Sequence, residues 1–316
     1  MNEPLVIARA FHLASTLLLA GTILFRCLVA APAFRANAGG PLDDGLRIRL
    51  TRIVWGALVV ATISGAAWLV FLAGEIGELP VADAWSKGLV WTVLTQTQFG
   101  GDWMLRLEMA SLLAVLLLLP AINSGFASAT DMICAILAAG LAGSLAWAGH
   151  ATATEGFDGT IHLASDALHL VAAGAWLGAL WPLAILLDRA RRAGDPVSVA
   201  IAHQATRCFS IVGIISVAVI LATGVINTYE ILGALMFSIG TDYNRLLLVK
   251  IALFIVMVCI AAVNRQRLTP RLSGEGDRVR AIRQLERNSL IEAGLGLLIL
   301  GIVAVLGRIP PHVHDG

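Results

Sequence analysis

Charge is scarce in this sequence: only 14% of its 316 residues are Asp, Glu, Lys or Arg, against about a quarter in soluble domains. Cysteine is scarcer. The four cysteines, Cys27, Cys134, Cys208 and Cys259, lie far apart with no CxxC pair, which excludes a small disulfide scaffold. No Gly-Lys-Ser/Thr loop of the phosphate-cradling kind is present, and no connection is long enough for a nucleotide-hydrolysing domain. An ATP-driven pump is therefore not expected from this chain alone, and no catalytic residues stand out. What is plentiful is apolar surface: 58% of residues are hydrophobic and the mean hydropathy is +0.83. A water-soluble globule could not hide that much of it.

Crossing a hydrocarbon core takes about 20 mostly apolar residues, since each helical residue rises about 1.5 Å. Eight stretches qualify, at about 5–26, 53–74, 103–122, 131–150, 161–187, 208–232, 245–263 and 289–307. Barrel strands would alternate over about ten residues, so a β-barrel is excluded. The expected fold is an all-α polytopic membrane bundle of about eight helices, forming one transmembrane domain over 1–316. The first run reads as a span and not a signal peptide, because Glu3 stands where basic residues belong and the apolar stretch before Arg26 is too long.

Lys and Arg in the connections set orientation. Arginines gather after the first span (Arg35, Arg47, Arg49, Arg52), after the fifth (Arg189, Arg191, Arg192, Arg207) and before the eighth (Arg265 to Arg287). The alternate connections carry Glu75, Glu78, Asp83, Glu155, Asp158, Glu230 and Asp242. The arginine-rich connections should be cytoplasmic and both termini should lie outside. Basic loops of this kind are topogenic, and no nucleic-acid module fits between the spans, so lipid is the expected environment and nucleic acid is not an expected partner. Trp85, Trp91 and Trp103 suit an aromatic belt and the long outer loop.

With that topology, six of the seven histidines fall on the outer side: His12, His150, His162, His169, His312 and His314, leaving His203 inward. The cysteines sort the opposite way. A free cysteine usually behaves as a small buried hydrophobe, and a thiol exit path through residues such as Cys134 and Cys208 is the sharper alternative. The most informative run is His162-Leu163-Ala164-Ser165-Asp166-Ala167-Leu168-His169. At 100° per residue, positions 162, 166 and 169 share an arc of about 60°, so two imidazoles and a carboxylate form one stripe. Ionisable groups at membrane depth are expensive unless paired or hydrated, so this stripe should line a cavity or bind an ion, with His12 and His150 able to meet it at the same depth. The opposite face carries Gly174 and Gly178 at close-packing spacing. Imidazole with carboxylate suits copper(II) or zinc, and thiolate suits copper(I). Met104 and Met109 could add thioethers, although core packing is the commoner use of methionine. Arg106 and Lys250 read as interhelical pairing or snorkelling groups. Paired histidines on facing helices would also serve as axial ligands of a haem, which is the alternative cofactor.

These residues give the chain a resemblance to the CopD family of bacterial inner-membrane copper-handling proteins. It is carried by Gly149-His150, His162 through Leu170, Ala172-Ala173-Gly174-Ala175-Trp176-Leu177-Gly178, Thr223-Gly224-Val225-Ile226-Asn227, Asp242 through Lys250, Asn264-Arg265, and Phe99-Gly100 through Trp103 with Arg106. The resemblance implies an eight-helix protein of the bacterial inner membrane, tied to copper uptake or copper tolerance. It also implies a separate CopC-like periplasmic copper-binding protein as donor, since no such β-sandwich lies in this chain.

Overall fold

The computed structural model describes residues 3–38, 42–118, 129–148, 156–232, 240–274 and 277–309, and among these residues every regular element is helical. In chain order they are α1 (Glu3–Phe25), α2 (Ala31–Ala38), α3 (Asp44–Ile76), α4 (Val81–Ser86), α5 (Leu89–Gln96), α6 (Gln98–Leu118), α7 (Ala129–Ser144), α8 (Gly156–Ala193), α9 (Pro196–Leu232), α10 (Asp242–Val263) and α11 (Arg278–Leu306). Side-chain caps start several of them. Asp43 accepts from the Leu46 amide at 3.0 Å, Asp195 from the Ser198 amide at 2.9 Å, and Asp277 from the Arg280 amide at 3.0 Å. Two helices change pitch at one end: Arg26–Ala30 joins α1 to α2 as a π turn, and Asn264–Leu268 does the same after α10.

Seven segments among the described residues are long and apolar enough to cross a membrane. The third expected span is also helical, as α6, but Asp102, Arg106 and Glu108 make it more polar than the other seven. Large side chains such as Ile211, Ile215, Leu221, Val249, Ile255 and Val256 are exposed on α9 and α10, which is the surface a helix turns to lipid. The chain is a multi-pass, all-α membrane bundle.

Two helices hold the centre. α1 packs on α3, α7, α8 and α11, and α8 packs on α1, α7, α9 and α11. The α1–α8 contact depends on glycine. A Cβ at Gly21 would collide with the backbone of Gly174 and Gly178, and one at Gly178 would collide with the Leu17 carbonyl. At the arginine-rich end, Phe34, Leu46, Leu187, Ala202, Leu272 and Ile282 close a separate apolar cluster. Ion pairs surround it: Arg189 with Asp43 at 2.5 Å, and Arg191 with Glu286 at 2.9 Å.

The helices run further than hydropathy alone indicates. The stretch from Arg189 to Arg207, expected to be a connection, is two helix ends joined at Gly194 and Asp195, with Gly194 in the left-handed region at φ 67°. The long connection between α3 and α6, expected to be an outer loop, also contains helices, α4 and α5, where Trp85 and Trp91 are 67% and 68% exposed. Trp103 departs from the belt reading. It is only 4% exposed and is packed inside the bundle, because Gly65 on α3 leaves room for its indole.

Candidate functional site

The N-terminal half of α8 meets α9 along the expected stripe. His169 places Nδ1 2.9 Å from Thr223 Oγ1. The Thr223 hydroxyl donates its own hydrogen to the Val219 carbonyl at 2.6 Å, so Oγ1 can only accept from the ring. His169 therefore carries its proton on Nδ1 and keeps a lone pair on Nε2. One turn earlier, Asp166 accepts from Asn227 Nδ2 at 3.2 Å and lies within electrostatic reach of Arg9, Lys250 and the Tyr243 hydroxyl. Ser165 donates to the Thr223 carbonyl at 3.3 Å and ties the two helices at this level. His162 is 2% exposed, and its buried Nδ1 has no partner.

His12 has the same chemistry in a different setting. Its Nδ1 lies 2.9 Å from the Ala61 carbonyl on α3, which can only accept, so the proton is again on Nδ1 and the buried Nε2 is an unpartnered lone pair. Trp68 and Trp103 meet the ring edge-on, with centroids 5.7 and 5.5 Å away. Beside it is a cavity of about 20 Å³, lined by Thr16, Ala61, Trp103 and Arg106 among others, which is room for one water. Because α1 and α8 are in contact through Gly21, Gly174 and Gly178, His12 and His169 sit at matching depth, but His12 faces α3 and α6 while His169 faces α9.

Among the described residues no three His, Cys, Asp or Glu side chains are gathered closely enough to hold a metal ion together. Helical geometry accounts for part of this, since His162 and His169 are seven residues apart, about 10 Å along the axis. His150, His312 and His314 lie outside the described residues. Met104 is exposed, and Met109 is half-buried against Gly140 of α7.

The cysteines divide. Cys27 donates through Sγ to the Asp131 carbonyl at 3.8 Å and shares a small pocket with Cys134, Thr51 and the Arg26–Asp131 ion pair of 2.5 Å. Cys208 sits apart on α9, accepting from Gln204 at 3.6 Å, and Cys259 is exposed.

Arg9 is not evident from its own sequence neighbourhood. Arg9 donates to the Gly307 carbonyl at 3.1 Å and lies over the Trp68 ring at 5.4 Å. Arg106 is buried and turned inward, donating to the Ser144 carbonyl at 2.5 Å, so of its two expected roles it takes interhelical pairing. Thr223 and Asn227 are separated by one helical turn, which is the sequence signal for a pair serving one neighbouring helix.

Comparison with known proteins places these features in context. The profile described as "Copper resistance protein D-like, N-terminal domain" matches residues 1–160, and that described as "Copper resistance protein D" matches residues 203–306. Copper resistance protein D of Pseudomonas syringae pv. tomato is 30% identical over 321 residues, covering the whole of both chains. Inner membrane protein YebZ of Escherichia coli K12 is 30% identical over 310 residues, 96% of this chain and 97% of that one. Copper transport protein CutJ of Bacillus subtilis is 29% identical over 229 residues, 72% of this chain but 40% of the longer relative.

Proposed function

Because the chain belongs to the copper resistance protein D family, we propose that it carries copper across the membrane along the histidine stripe of α8, toward the arginine-rich end. It is a copper-related, multi-pass protein of the inner membrane. The observation that carries the finer reading is the Nδ1 hydrogen bond that each of two histidines makes to a neighbouring helix. Nδ1 of His12 is bound to the Ala61 carbonyl and Nδ1 of His169 to Thr223, so each ring offers a lone pair on Nε2 at membrane depth. A neutral, oriented imidazole is what a transition metal requires, and the outer hydrogen bond raises its basicity as a ligand.

The proposed ligands are His162, Asp166 and His169, with His12 and His150. The spacing of His162 and His169 along α8 favours transfer from one group to the next over a single closed shell, which suits an ion that must leave as readily as it enters. Asp166 supplies the carboxylate charge on the path, and Asn227 fixes its direction. At the arginine-rich end, Cys27 and Cys134 offer soft donors suited to copper(I). The positive-inside rule makes that end cytoplasmic and the reading one of uptake. A CopC-like periplasmic protein is the proposed donor at the opposite end, where Glu78 and Asp83 lie near the exposed Trp85.

The test is copper accumulation. Cells overproducing the protein should change their cytoplasmic copper, and His162→Ala or His169→Ala should abolish that change. Parental behaviour in both variants would remove the stripe from the path. Haem ligation by His12 is disfavoured by the space beside it, about 20 Å³. Purified protein should therefore bind copper without a Soret band.

A further inference from the structure

The stripe and its partners leave the buried acid Glu292 unused. Glu292 of α11 is 1% exposed and lies toward the arginine-rich end, on the wall of an open cavity of about 460 Å³ between α8, α9, α10, the turn after α10, and α11. One carboxyl oxygen, Oε1, accepts from Asn264 Nδ2 at 2.8 Å, and the Asn264 carbonyl accepts in turn from Asn288 Nδ2 at 2.6 Å. This directed chain of amides ends on Glu292. The other oxygen, Oε2, is buried without a partner.

We propose that Glu292 is a proton-binding site, loaded and emptied through this cavity and separate from the histidine stripe. An ionised carboxylate has about four acceptor positions, and here a single donor serves one of them. At membrane depth an unpaired charge costs several kcal/mol, whereas a proton on Oε2 removes the charge entirely. The ionisable side chain sharing the cavity wall is Arg265, at the exposed rim on the turn after α10. It donates to Ser210 of α9 at 3.0 Å and not to Glu292. The walls from α8 and α9 contribute Trp176, Thr206 and Ser210, none of which can balance a carboxylate charge. A sodium ion would need several oxygens around it, and the nearest other side-chain oxygen, Asn264 Oδ1, already accepts from Asn288 Nδ2. A proton, which needs only the free Oε2, suits this arrangement better than a cation that needs a shell of oxygens. If copper moves through the stripe, Glu292 is where a proton would move in exchange, an extension that rests on the reading above while the site itself does not.

A hydrophobic carbodiimide tests the site directly, since it reacts with protonated carboxyls in apolar surroundings. Full-length protein in liposomes should be modified at Glu292, mapped by peptide mass spectrometry. Above the midpoint of the titration the rate should fall about tenfold per pH unit. Sodium chloride should give no protection at constant ionic strength. Glu292→Gln should lose the label and keep the parental copper stoichiometry. Absence of label at Glu292 in the parent protein, with label at other carboxyls, would overturn the proposal. Protection by sodium would overturn it in favour of a hard-cation site. Neither result would touch the accumulation defect of His169→Ala, so the two ideas fail independently.

Discussion

His12 and His169 are oriented by groups that a helical-wheel argument does not reach. The stripe of His162, Asp166 and His169 is legible because 100° per residue is a fixed rule. The tautomers depend on Ala61 and Thr223, distant in sequence and brought close by packing. Thr223→Val keeps the shape of the side chain and removes the acceptor of the His169 Nδ1 proton. Loss of such an outer partner should weaken copper binding by about 10- to 100-fold, measured by competition with a chelator of known affinity. Trp103 and Cys27 show the limits of reading residues singly. An indole near a helix start suits a membrane interface equally well, and only the gap left by Gly65 draws it inward. Cys27 joins Cys134 because α1 and α7 pack together, while Cys208, similar in sequence setting, does not.

At the scale of helices, the face opposite the stripe is the more predictable one. Gly174 and Gly178 carry the small-residue spacing of membrane helix pairs, and they do meet a neighbour, Gly21 of α1. Gly178→Ala should destabilise the bundle by about 1–3 kcal/mol, as overpacking does, because the obstacle is the Leu17 carbonyl and not a movable side chain. Thermal unfolding of purified protein in detergent is the measurement, with Gly294→Ala, where a methyl meets nothing, as the control. Helix limits were harder to read than helix identity. Hydropathy reports where a helix lies in hydrocarbon, so the twelve residues from Pro196 to Arg207 look like a loop although they continue α9 and pack on α2. The same reasoning hides α4 and α5 in the connection between α3 and α6.

For the whole molecule, all-α membrane architecture follows from composition and run length, and the bundle has it. Orientation follows from Arg placement, and it is open to direct test. In a cysteine-free background, Trp85→Cys should react with a membrane-impermeant maleimide in intact cells, and Arg287→Cys should react only after the membrane is permeabilised. Both positions are exposed. The reverse pattern would invert the direction of every step proposed for copper and for the Glu292 proton. The number of spans was the harder quantity, because Asp102, Arg106 and Glu108 dilute the apolar character of α6 while Arg106 is absorbed by Ser144 inside the bundle.

The π turns at 26–30 and 264–268 each take in one residue more than an α-helical turn and so re-aim whatever follows by about 100°. Ala33 and Phe34, after the first turn, and Leu272, after the second, join the same apolar cluster as residues of α9. Deleting a single residue from either turn would leave the hydrophobic thickness of the helix intact and yet point its extension at the arginine-rich end away from its present seat. Length changes in this protein should consequently be tolerated at Gly194, between helices, far better than at these two pivots.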